Sequence, residues 1–401
     1  MQTSPPGPAR TSLNDPDPDP DPDPVPAADR DSRHAAIALA TTLPSDVVLY
    51  LLLPMYGEAF GISLAEAGIL LAANRLVRIA GYGWVARFYA RHGDRLTSTL
   101  AVAVAAACAL GNATLTGFWA LLPLRLFWGL SFAALNLATQ VLATSVPAGA
   151  AARSGRSRAF IALGPVVALP AAAVLSEAAG PRWIFFVLTV VALGGLLAAR
   201  RLPALPHPGI AAARKGPARP NALDTWSFLE GFALDGLFVI GLSVLGRDVL
   251  PGGAVVAAGV LLALRYGAEI VLSPLGGQMA DRWGAERLLV GFSLLTALAL
   301  LGFGTGWLWS CAAAIVVLRA LQLPLLAPIV ARRHPGPERV GALAARSVWR
   351  DIGAGLGPMA AGLLLPVLPA PWLYGLPAAM LAAAALACGR TAGKAPQRGN
   401  Q

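Results

Sequence analysis

Long stretches of this sequence consist of apolar residues without a single charged side chain. No Asp, Glu, Lys or Arg occurs between Leu96 and Leu124, between Leu288 and Leu318, or from Ile352 to Gly389. A helix that crosses a bilayer needs about 20 predominantly apolar residues. The two later stretches are therefore long enough for parts of two spanning helices each, with breaks offered by glycines near position 304 and prolines near position 369.

Comparable apolar segments follow one another along the chain, separated by short polar or Gly- and Pro-containing connections. The pattern predicts an all-α integral membrane protein with twelve transmembrane helices. The expected helices cover residues 35–56, 65–88, 96–116, 119–146, 156–178, 182–200, 222–245, 254–280, 287–305, 308–331, 340–365 and 371–389.

The segments outside these helices predict the domain organisation. Five Asp-Pro repeats between Asp15 and Pro24 prevent a packed core, so a disordered tail is expected at the start of the chain. The expected parts are the tail at 1–34, an N-terminal bundle at 35–200, a linker at 201–221, a C-terminal bundle at 222–390 and a second tail at 391–401.

Composition and charge support the membrane assignment and add an orientation. Hydrophobic residues make up 56% of the chain and charged residues only 13%, whereas a soluble domain carries about 25% charged residues. Of the 31 Lys and Arg residues, 22 lie in the tails and expected cytoplasmic loops and two, Arg182 and Arg247, in external loops. This positive-inside bias predicts a multi-pass protein of the cell (inner or plasma) membrane with both termini cytoplasmic. It also explains the net charge of +10 without nucleic-acid binding.

Other candidate chemistry is sparse. The four histidines lie in or beside polar segments without metal-ligand spacing. Cys108, Cys311 and Cys388 each fall in an apolar run and are interpreted as small buried hydrophobic residues. The sequence has no P-loop lysine motif to support ATP-driven transport. We therefore expect no enzymatic activity, no cofactor and no metal site.

The two halves of the chain repeat one another at a nearly constant separation of about 190 residues. The matching positions are Asp46 with Asp235, Gly57 with Gly246, Arg125 with Arg319, Arg153 with Arg346, and Gly164-Pro165 with Gly357-Pro358. Two such repeats predict two six-helix bundles related by a pseudo-two-fold axis along the membrane normal, with a central site between them.

Several motifs resemble those of the major facilitator superfamily. The loop signature G-x-x-x-D-R-x-G is matched by Gly277, Asp281, Arg282 and Gly284, although its first-half copy keeps only Arg91 and Gly93. Leu121, Arg125 and Gly129 resemble the helix-4 motif of proton-coupled members, with Trp128 in the Gln position. Gly164-Pro165 and Gly353-x-x-x-Gly357-Pro358 resemble the G-P motif of exporters. The resemblance implies that Gly277, Asp281, Arg282, Gly284, Gly357 and Pro358 take part in gating.

Charged residues inside the expected helices are the candidate site, because intramembrane charge is costly and is usually paired or functional. The resemblance implies that helices 1, 4, 7 and 10 line a central cavity. The predicted substrate and proton pathway consists of Asp46, Arg75, Arg125, Asn136, Gln140, Asp235, Arg265, Glu269, Arg319 and Gln322. The alternative is that the charges only neutralise one another and stabilise helix packing.

Three local expectations follow from spacing and position. Arg265 and Glu269 lie at i, i+4 and are expected to form a local ion pair or to share a site. Asp281 is expected to meet the start of helix 11, with Arg339 or Arg346 as an additional partner. Asp235 is slightly favoured as a proton carrier because Glu230 lies close in sequence.

The sequence therefore predicts a monomeric secondary transporter that moves a small-molecule substrate across the lipid bilayer by alternating access. The motif resemblances favour proton-coupled efflux of a drug-like compound or metabolite. Uptake of a small organic anion is an alternative, because the helices hold seven arginines against five acids. A non-transporting sensor or assembly partner is a third interpretation.

Overall fold

The computed structural model of the chain describes residues 24–204, 220–239, 241, 254–364 and 367–392, and every regular element in them is helical. The α-helices are α1 (Pro24–Met55), α2 (Leu64–Thr114), α3 (Phe118–Ala143), α4 (Ala150–Ala178), α5 (Trp183–Arg200), α6 (Ala222–Glu230), α7 (Ala254–Trp283), α8 (Ala285–Gly304), α9 (Leu308–Gln322), α10 (Leu326–Arg333), α11 (Glu338–Leu364) and α12 (Ala370–Ala392).

Eight helical stretches in the described ranges are long and apolar enough to cross a membrane. They are Pro24–Met55, Leu64–Thr114, Phe118–Ala143, Ala150–Ala178, Trp183–Arg200, Ala285–Gly304, Leu308–Arg333 and Ala370–Arg390. The 51-residue helix α2 covers the predicted second and third helices and is interrupted at Gly93, where the backbone leaves the helical region.

Equivalent glycine turns interrupt the two halves of the chain. Gly93 has φ +74° and Gly284, between α7 and α8, has φ +91°. L-residues with a side chain rarely adopt such a positive φ, so both turns depend on glycine. These are the two positions that carry the last glycine of the loop signature, and the signature therefore serves the same backbone turn in both halves.

Local sequence explains where two helices begin. Ser63 accepts a hydrogen bond from the Glu66 backbone N–H, and the Glu66 side chain accepts one from the Ser63 N–H, which forms a capping box at the start of α2. Asn221 and Asp224 form the same arrangement at the start of α6. Each cap satisfies backbone donors that have no partner within the helix.

Some predicted boundaries are wrong. Helix α1 spans Pro24–Met55, so residues 24–34, predicted as part of a disordered tail, are helical. Helix α4 begins at Ala150 rather than 156. The remaining tail residues 1–23, the linker residues 205–219 and the tail residues 393–401 lie outside the described residues.

The predicted seventh helix has an irregular backbone around Asp235. Helix α6 continues into a π-helical segment from Gly231 to Leu237, which contains Asp235. π-Helical turns are rare and occur frequently at functional sites. The wider turn changes the direction in which the following side chains project from the helix.

Glycines bring two helix pairs into backbone contact. A Cβ added at Gly353 or Gly357 of α11 would collide with backbone atoms of Phe228 or Phe232, and Gly236 lies against Gly357. Between α4 and α7, Gly277 faces the backbone of Ala151, and Gly155 faces that of Ser273. Small residues permit this close helix approach in a membrane.

We predict that Gly277→Ala lowers the thermal midpoint of the protein in detergent, because the new methyl group displaces the backbone of α4. Overpacking of this kind costs about 1–3 kcal/mol. Gly267 lies in the same helix with open space around its Cα, so Gly267→Ala should leave the midpoint unchanged or raise it. Equal midpoints for the two variants would contradict the packing assigned to α4 and α7.

Candidate functional site

A central cavity of about 1010 Å³ lies between the N-terminal and C-terminal halves. Its wall includes nine of the ten predicted pathway residues, namely Asp46, Arg75, Asn136, Gln140, Asp235, Arg265, Glu269, Arg319 and Gln322. Both halves contribute to it, with residues from α1 to α4 on one side and from α6, the π-helical segment, α7, α9, α10 and α11 on the other. The predicted residues are therefore brought together in one place.

The tenth predicted residue, Arg125, lies behind the wall and binds Asp46. An Arg125 Nη1–Asp46 Oδ1 ion pair links α3 to α1. Asn74 of α2 donates a hydrogen bond of 3.0 Å to the same carboxylate oxygen, and Arg125 Nε donates to the Leu70 carbonyl at 3.1 Å. Arg125 is 1% exposed. The network joins three helices of the N-terminal half around one buried charge pair.

Asp235 is the centre of the corresponding network in the C-terminal half. Its Oδ1 accepts from Arg319 of α9 and, at 2.8 Å, from Arg265 of α7. Its Oδ2 accepts from Arg350 of α11 at 2.7 Å, and Arg350 also pairs with Glu230 at 3.2 Å. One carboxylate thus connects four helical elements. The sequence repeat places Asp235 and Arg319 at the positions that match Asp46 and Arg125, but it does not reveal the other two arginines.

Arg265 and Glu269 do not form the expected local ion pair. Arg265 turns to Asp235, whereas the Glu269 carboxylate lies 3.9 Å from Arg319 Nη1. Both residues nevertheless belong to one connected cluster, which was the alternative expectation. The cause is tertiary, because the i, i+4 spacing places the two side chains on one helix face but does not select their partners.

Two predicted pathway residues of α3 contribute part of the wall. Phe132, Asn136 and Gln140 line the cavity. On the opposite half, Gln322 lines it while donating a hydrogen bond of 2.8 Å to Thr296. Arg75 of α2 reaches across the cavity and donates to the Ala354 carbonyl of α11.

Arg78 and Asp351 connect the two halves directly. The Arg78 Nη2 atom of α2 lies 3.2 Å from Asp351 Oδ1 of α11, and both residues line the cavity. Another Asp351 oxygen, Oδ2, is buried without a hydrogen-bond partner. This ion pair differs from the networks around Asp46 and Asp235, which each remain within one half.

Arg158 is a wall residue that the sequence reasoning missed. It lies on α4 and lines the cavity. The predicted helix starts at residue 156, which places Arg158 at its cytoplasmic end and not in the cavity wall. The spacing of Ser154, Ser157 and Arg158 on one helix face is the signal that could have revealed it.

Asp281, near the end of α7, contacts the start of α4 and so connects the two halves. The Asp281 carboxylate accepts hydrogen bonds from the backbone N–H groups of Ala152 at 2.9 Å and Ala151 at 3.3 Å. A carboxylate at a helix N-terminus is stabilised by the free N–H groups and the helix dipole. The expectation that Asp281 meets helix 11 is therefore wrong, because the glycine contacts bring α4 to this point instead.

The two arginines expected beside Asp281 have other partners. Arg346 pairs with Asp224 at 2.7 Å. Arg339, at the start of α11, donates to the Thr144 carbonyl after α3 at 2.6 Å and so connects the halves at the same end. The end of α7, at Asp281, and the start of α11, at Arg339, both belong to the second half. Both therefore contact the first half.

The other predicted gating residues occupy distinct positions. Arg282 is exposed, and Gly284 forms the turn into α8. Gly357 packs against the π-helical segment, and Pro358 lines the cavity. Among the described residues, no group of three or more His, Cys, Asp or Glu side chains could hold a metal ion.

The sequence matches the Major Facilitator Superfamily over residues 35–250 and 227–400. Two relatives are uncharacterised MFS-type transporters of Mycobacterium tuberculosis, from strains CDC 1551 / Oshkosh and ATCC 25618 / H37Rv. Each is 28% identical to this chain over 230 residues, covering 51% of this chain and 55% of the relative, so the chain spans about half the length of these relatives.

Two solved structures share the fold. The human organic anion transporter MFSD10 (TETRAN) superposes with a TM-score of 0.74 at 17% identity, covering 90% of this chain and 99% of that one. The proton:xylose symporter XylE bound to 6-bromo-6-deoxy-D-glucose gives a TM-score of 0.71 at 14% identity, covering 91% and 96%. The predicted all-α membrane fold and the family resemblance are confirmed.

We predict that Asp46→Asn strongly reduces the amount of folded protein and its thermal midpoint. Removing one partner of a buried ion pair costs about 3–5 kcal/mol, because Arg125 is left buried and uncompensated. The double variant Asp46→Asn/Arg125→Met should recover part of the loss. A single variant with the wild-type midpoint would show that the pair does not stabilise the fold.

The Glu286–Arg333 pair provides a matched control. Its two side chains are each about a quarter exposed, at 27% and 24%, and their atoms lie 3.0 Å apart. A partly exposed pair contributes about 0–1 kcal/mol. Glu286→Gln should therefore shift the midpoint much less than Asp46→Asn.

Proposed function

The chain belongs to the major facilitator superfamily, whose members are transporters rather than enzymes, and on that premise we propose that it moves a small solute across a membrane by alternating access. The cavity between the two halves carries this proposal. It is large enough for a small organic molecule, charged groups of both halves face it, and ligand cavities typically combine an apolar wall with a few polar groups in this way.

We propose twelve membrane-spanning helices in two six-helix bundles related by a pseudo-two-fold axis along the membrane normal. The bundles are residues 35–200 and 222–390, joined by the linker 201–221. The similar pairs Asp46–Arg125 and Asp235–Arg319 support this symmetry. The excess of Lys and Arg in the expected cytoplasmic segments supports cytoplasmic termini in the cell membrane, and we propose that the monomer is the transporting unit.

In that orientation, the end closed by Asp281 and Arg339 is the cytoplasmic end. The arrangement then corresponds to an outward-facing state, in which substrate exchanges with the outside. Return to the inward-facing state requires the Asp281 contacts with α4 to break. Gly277, Asp281, Gly284, Gly357 and Pro358 would act at this gate or along its helices, whereas the exposed Arg282 has a lesser role.

We propose export driven by inward proton movement, with Glu269 as the proton-carrying group. The Glu269 carboxylate lines the cavity, and its ion-pair partner is 3.9 Å away. Asp235, by contrast, is held by three arginines and is better suited to a structural role. The helix-4 and G-P motif resemblances support the coupling and the direction.

An organic anion is the second candidate for the substrate class. The lining residues include seven arginines and five carboxylates. The shared fold of the human organic anion transporter is compatible with such a substrate.

A vesicle assay tests the transport proposal. Purified protein in liposomes should move dyes or metabolites when a pH gradient is imposed, and protein-free liposomes should not. If a broad panel of solutes shows no movement with folded protein, the sensor or assembly interpretation replaces the transport proposal.

We predict that Asp281→Asn shifts the protein away from the outward-facing state. A charged carboxylate at a helix N-terminus contributes about 0.3–1 kcal/mol, which corresponds to about a two- to fivefold change in the ratio of outward-facing to inward-facing molecules. In a variant lacking the native cysteines, Ala72→Cys in the cavity wall reports access from outside. Its labelling by a membrane-impermeant thiol reagent should slow, by at most that factor.

Arg282→Gln is the control for the gate, because Arg282 is the exposed neighbour of Asp281 at the same turn. It should leave labelling of the reporter cysteine unchanged. Faster or unchanged labelling in Asp281→Asn would refute the gate assigned to α4 and α7.

We predict that Glu269→Gln abolishes proton-driven solute accumulation but leaves solute exchange across the vesicle membrane intact. A neutral amide cannot carry the proton, whereas exchange needs only the conformational change. Glu269→Asp retains a carboxylate and should keep measurable accumulation. Full pH-dependent accumulation by Glu269→Gln would exclude this residue from coupling.

A further inference from the structure

One face of α4 carries two serines and an arginine that line the central cavity. Ser154, Ser157 and Arg158 lie at i, i+3 and i+4, so they share a helix face, and all three line the cavity. The backbone of Ala151 and Ala152, just before these residues, contacts Asp281. The face therefore extends from the closed end toward the middle of the cavity.

Arg158 differs from the other arginines of the cavity wall. Arg78 and Arg346 each pair with one carboxylate, and Arg265, Arg319 and Arg350 all pair with Asp235. Arg75 is held by the Ala354 carbonyl. Within the described part of the chain, no carboxylate lies within 4.0 Å of the Arg158 guanidinium and no acceptor forms a hydrogen bond with it.

The charged groups that interact electrostatically with Arg158 are Arg350, Glu269, Arg319 and Glu230. They do not supply the missing negative charge. Glu230 is paired with Arg350, and the partner of Glu269 is Arg319. The positive charge of Arg158 thus remains in excess, and an anion in the cavity would find it unoccupied.

Ser154 provides an independent indication of a ligand. The residue is 6% exposed, and its hydroxyl group has no hydrogen-bond partner. A buried hydroxyl group without a partner is unfavourable. A ligand oxygen in the cavity beside Arg158 could accept the hydrogen bond that this hydroxyl group has available.

Apolar side chains form much of the remaining wall. They include Leu39, Leu43, Phe132, Ile161 and Leu326. Such a wall favours a ligand that carries an apolar body as well as an anionic group. A simple inorganic anion would leave these surfaces in contact with water.

We propose that Arg158, Ser154 and Ser157 bind the carboxylate or sulfonate group of an amphipathic organic anion, whose apolar body lies against the rest of the cavity wall. Arg158 makes the charge-assisted hydrogen bonds, and the serine hydroxyl groups donate to the remaining oxygens. This site deepens the proposed transport function, on which it rests for its role in moving the anion.

Calorimetric titration of the full chain in detergent tests the site. The probes are 1-naphthoate, naphthalene-1-sulfonate and the neutral 1-naphthamide, which share one apolar body. Arg158→Gln should weaken binding of the anions about 10- to 100-fold, because a hydrogen bond to a charged group is lost. Binding of the amide should change less than about threefold. Comparing naphthoate with the sulfonate shows which anionic group fits better.

Matched variants separate the site from general effects on α4. Arg156 lies on the same helix, is half exposed and pairs with Asp29 at 2.8 Å, so Arg156→Gln should leave both affinities unchanged. Arg158→Lys should restore part of the anion affinity, and Ser154→Ala should reduce it several-fold. Size-exclusion profiles establish that each variant is folded.

Three results would overturn the proposal. The first is that no anionic probe binds the wild-type protein. The second is an equal loss of anion and amide binding in Arg158→Gln. The third is unchanged anion binding in folded Arg158→Gln, which would show that Arg158 does not hold the anion.

The outcome for transport is measured separately. If vesicles transport solutes but Arg158→Gln leaves anion binding unchanged, alternating access stands and the anion site is rejected. If the wild-type protein binds the anions through Arg158 but moves no solute, the binding site stands and the transport proposal is rejected.

Discussion

The requirement that charge inside a membrane be compensated organises this structure. An isolated guanidinium group or carboxylate in a low-dielectric interior is unfavourable, whereas a hydrogen-bonded pair is tolerated. Arg125 and Asp46 satisfy this requirement in one half. In the other half, three arginines around Asp235 are balanced by Asp235, Glu230 and Glu269 together. Each network connects several helices, so charge compensation also determines which helices lie together around the cavity.

Glycine allows those helices to approach closely enough for the networks to form. Gly353 and Gly357 bring α11 against α6 and the π-helical segment, which places Arg350 within reach of Asp235 and Glu230. Gly155 and Gly277 bring α4 against α7, which places the start of α4 beside Asp281. The first contact lies within one half, and the second lies between the halves. The same packing chemistry therefore supports both a permanent core and a contact that can separate.

This distinction between contacts within and between the halves links structure to mechanism. The networks of Asp46 and Asp235 can persist while the halves move as rigid units. The contacts of Arg78 with Asp351 and of Asp281 with α4 join the halves and would have to change in the proposed alternating access. Arg158 stands apart from both classes, because its charge is directed to the cavity that lies between the moving parts.

The sequence by itself determined the membrane character, the approximate helices, the repeat and the residues of the two central ion pairs, because hydrophobic length and repeated charge are properties of the linear chain. Nine of the ten pathway residues also line the cavity. Only the tertiary structure decided that Asp281 meets α4, that Arg265 and Glu269 have separate partners, and that Arg158 faces the cavity. The physical reason is that helical spacing assigns a side chain to a face, whereas the neighbour opposite that face depends on close packing between distant parts of the chain.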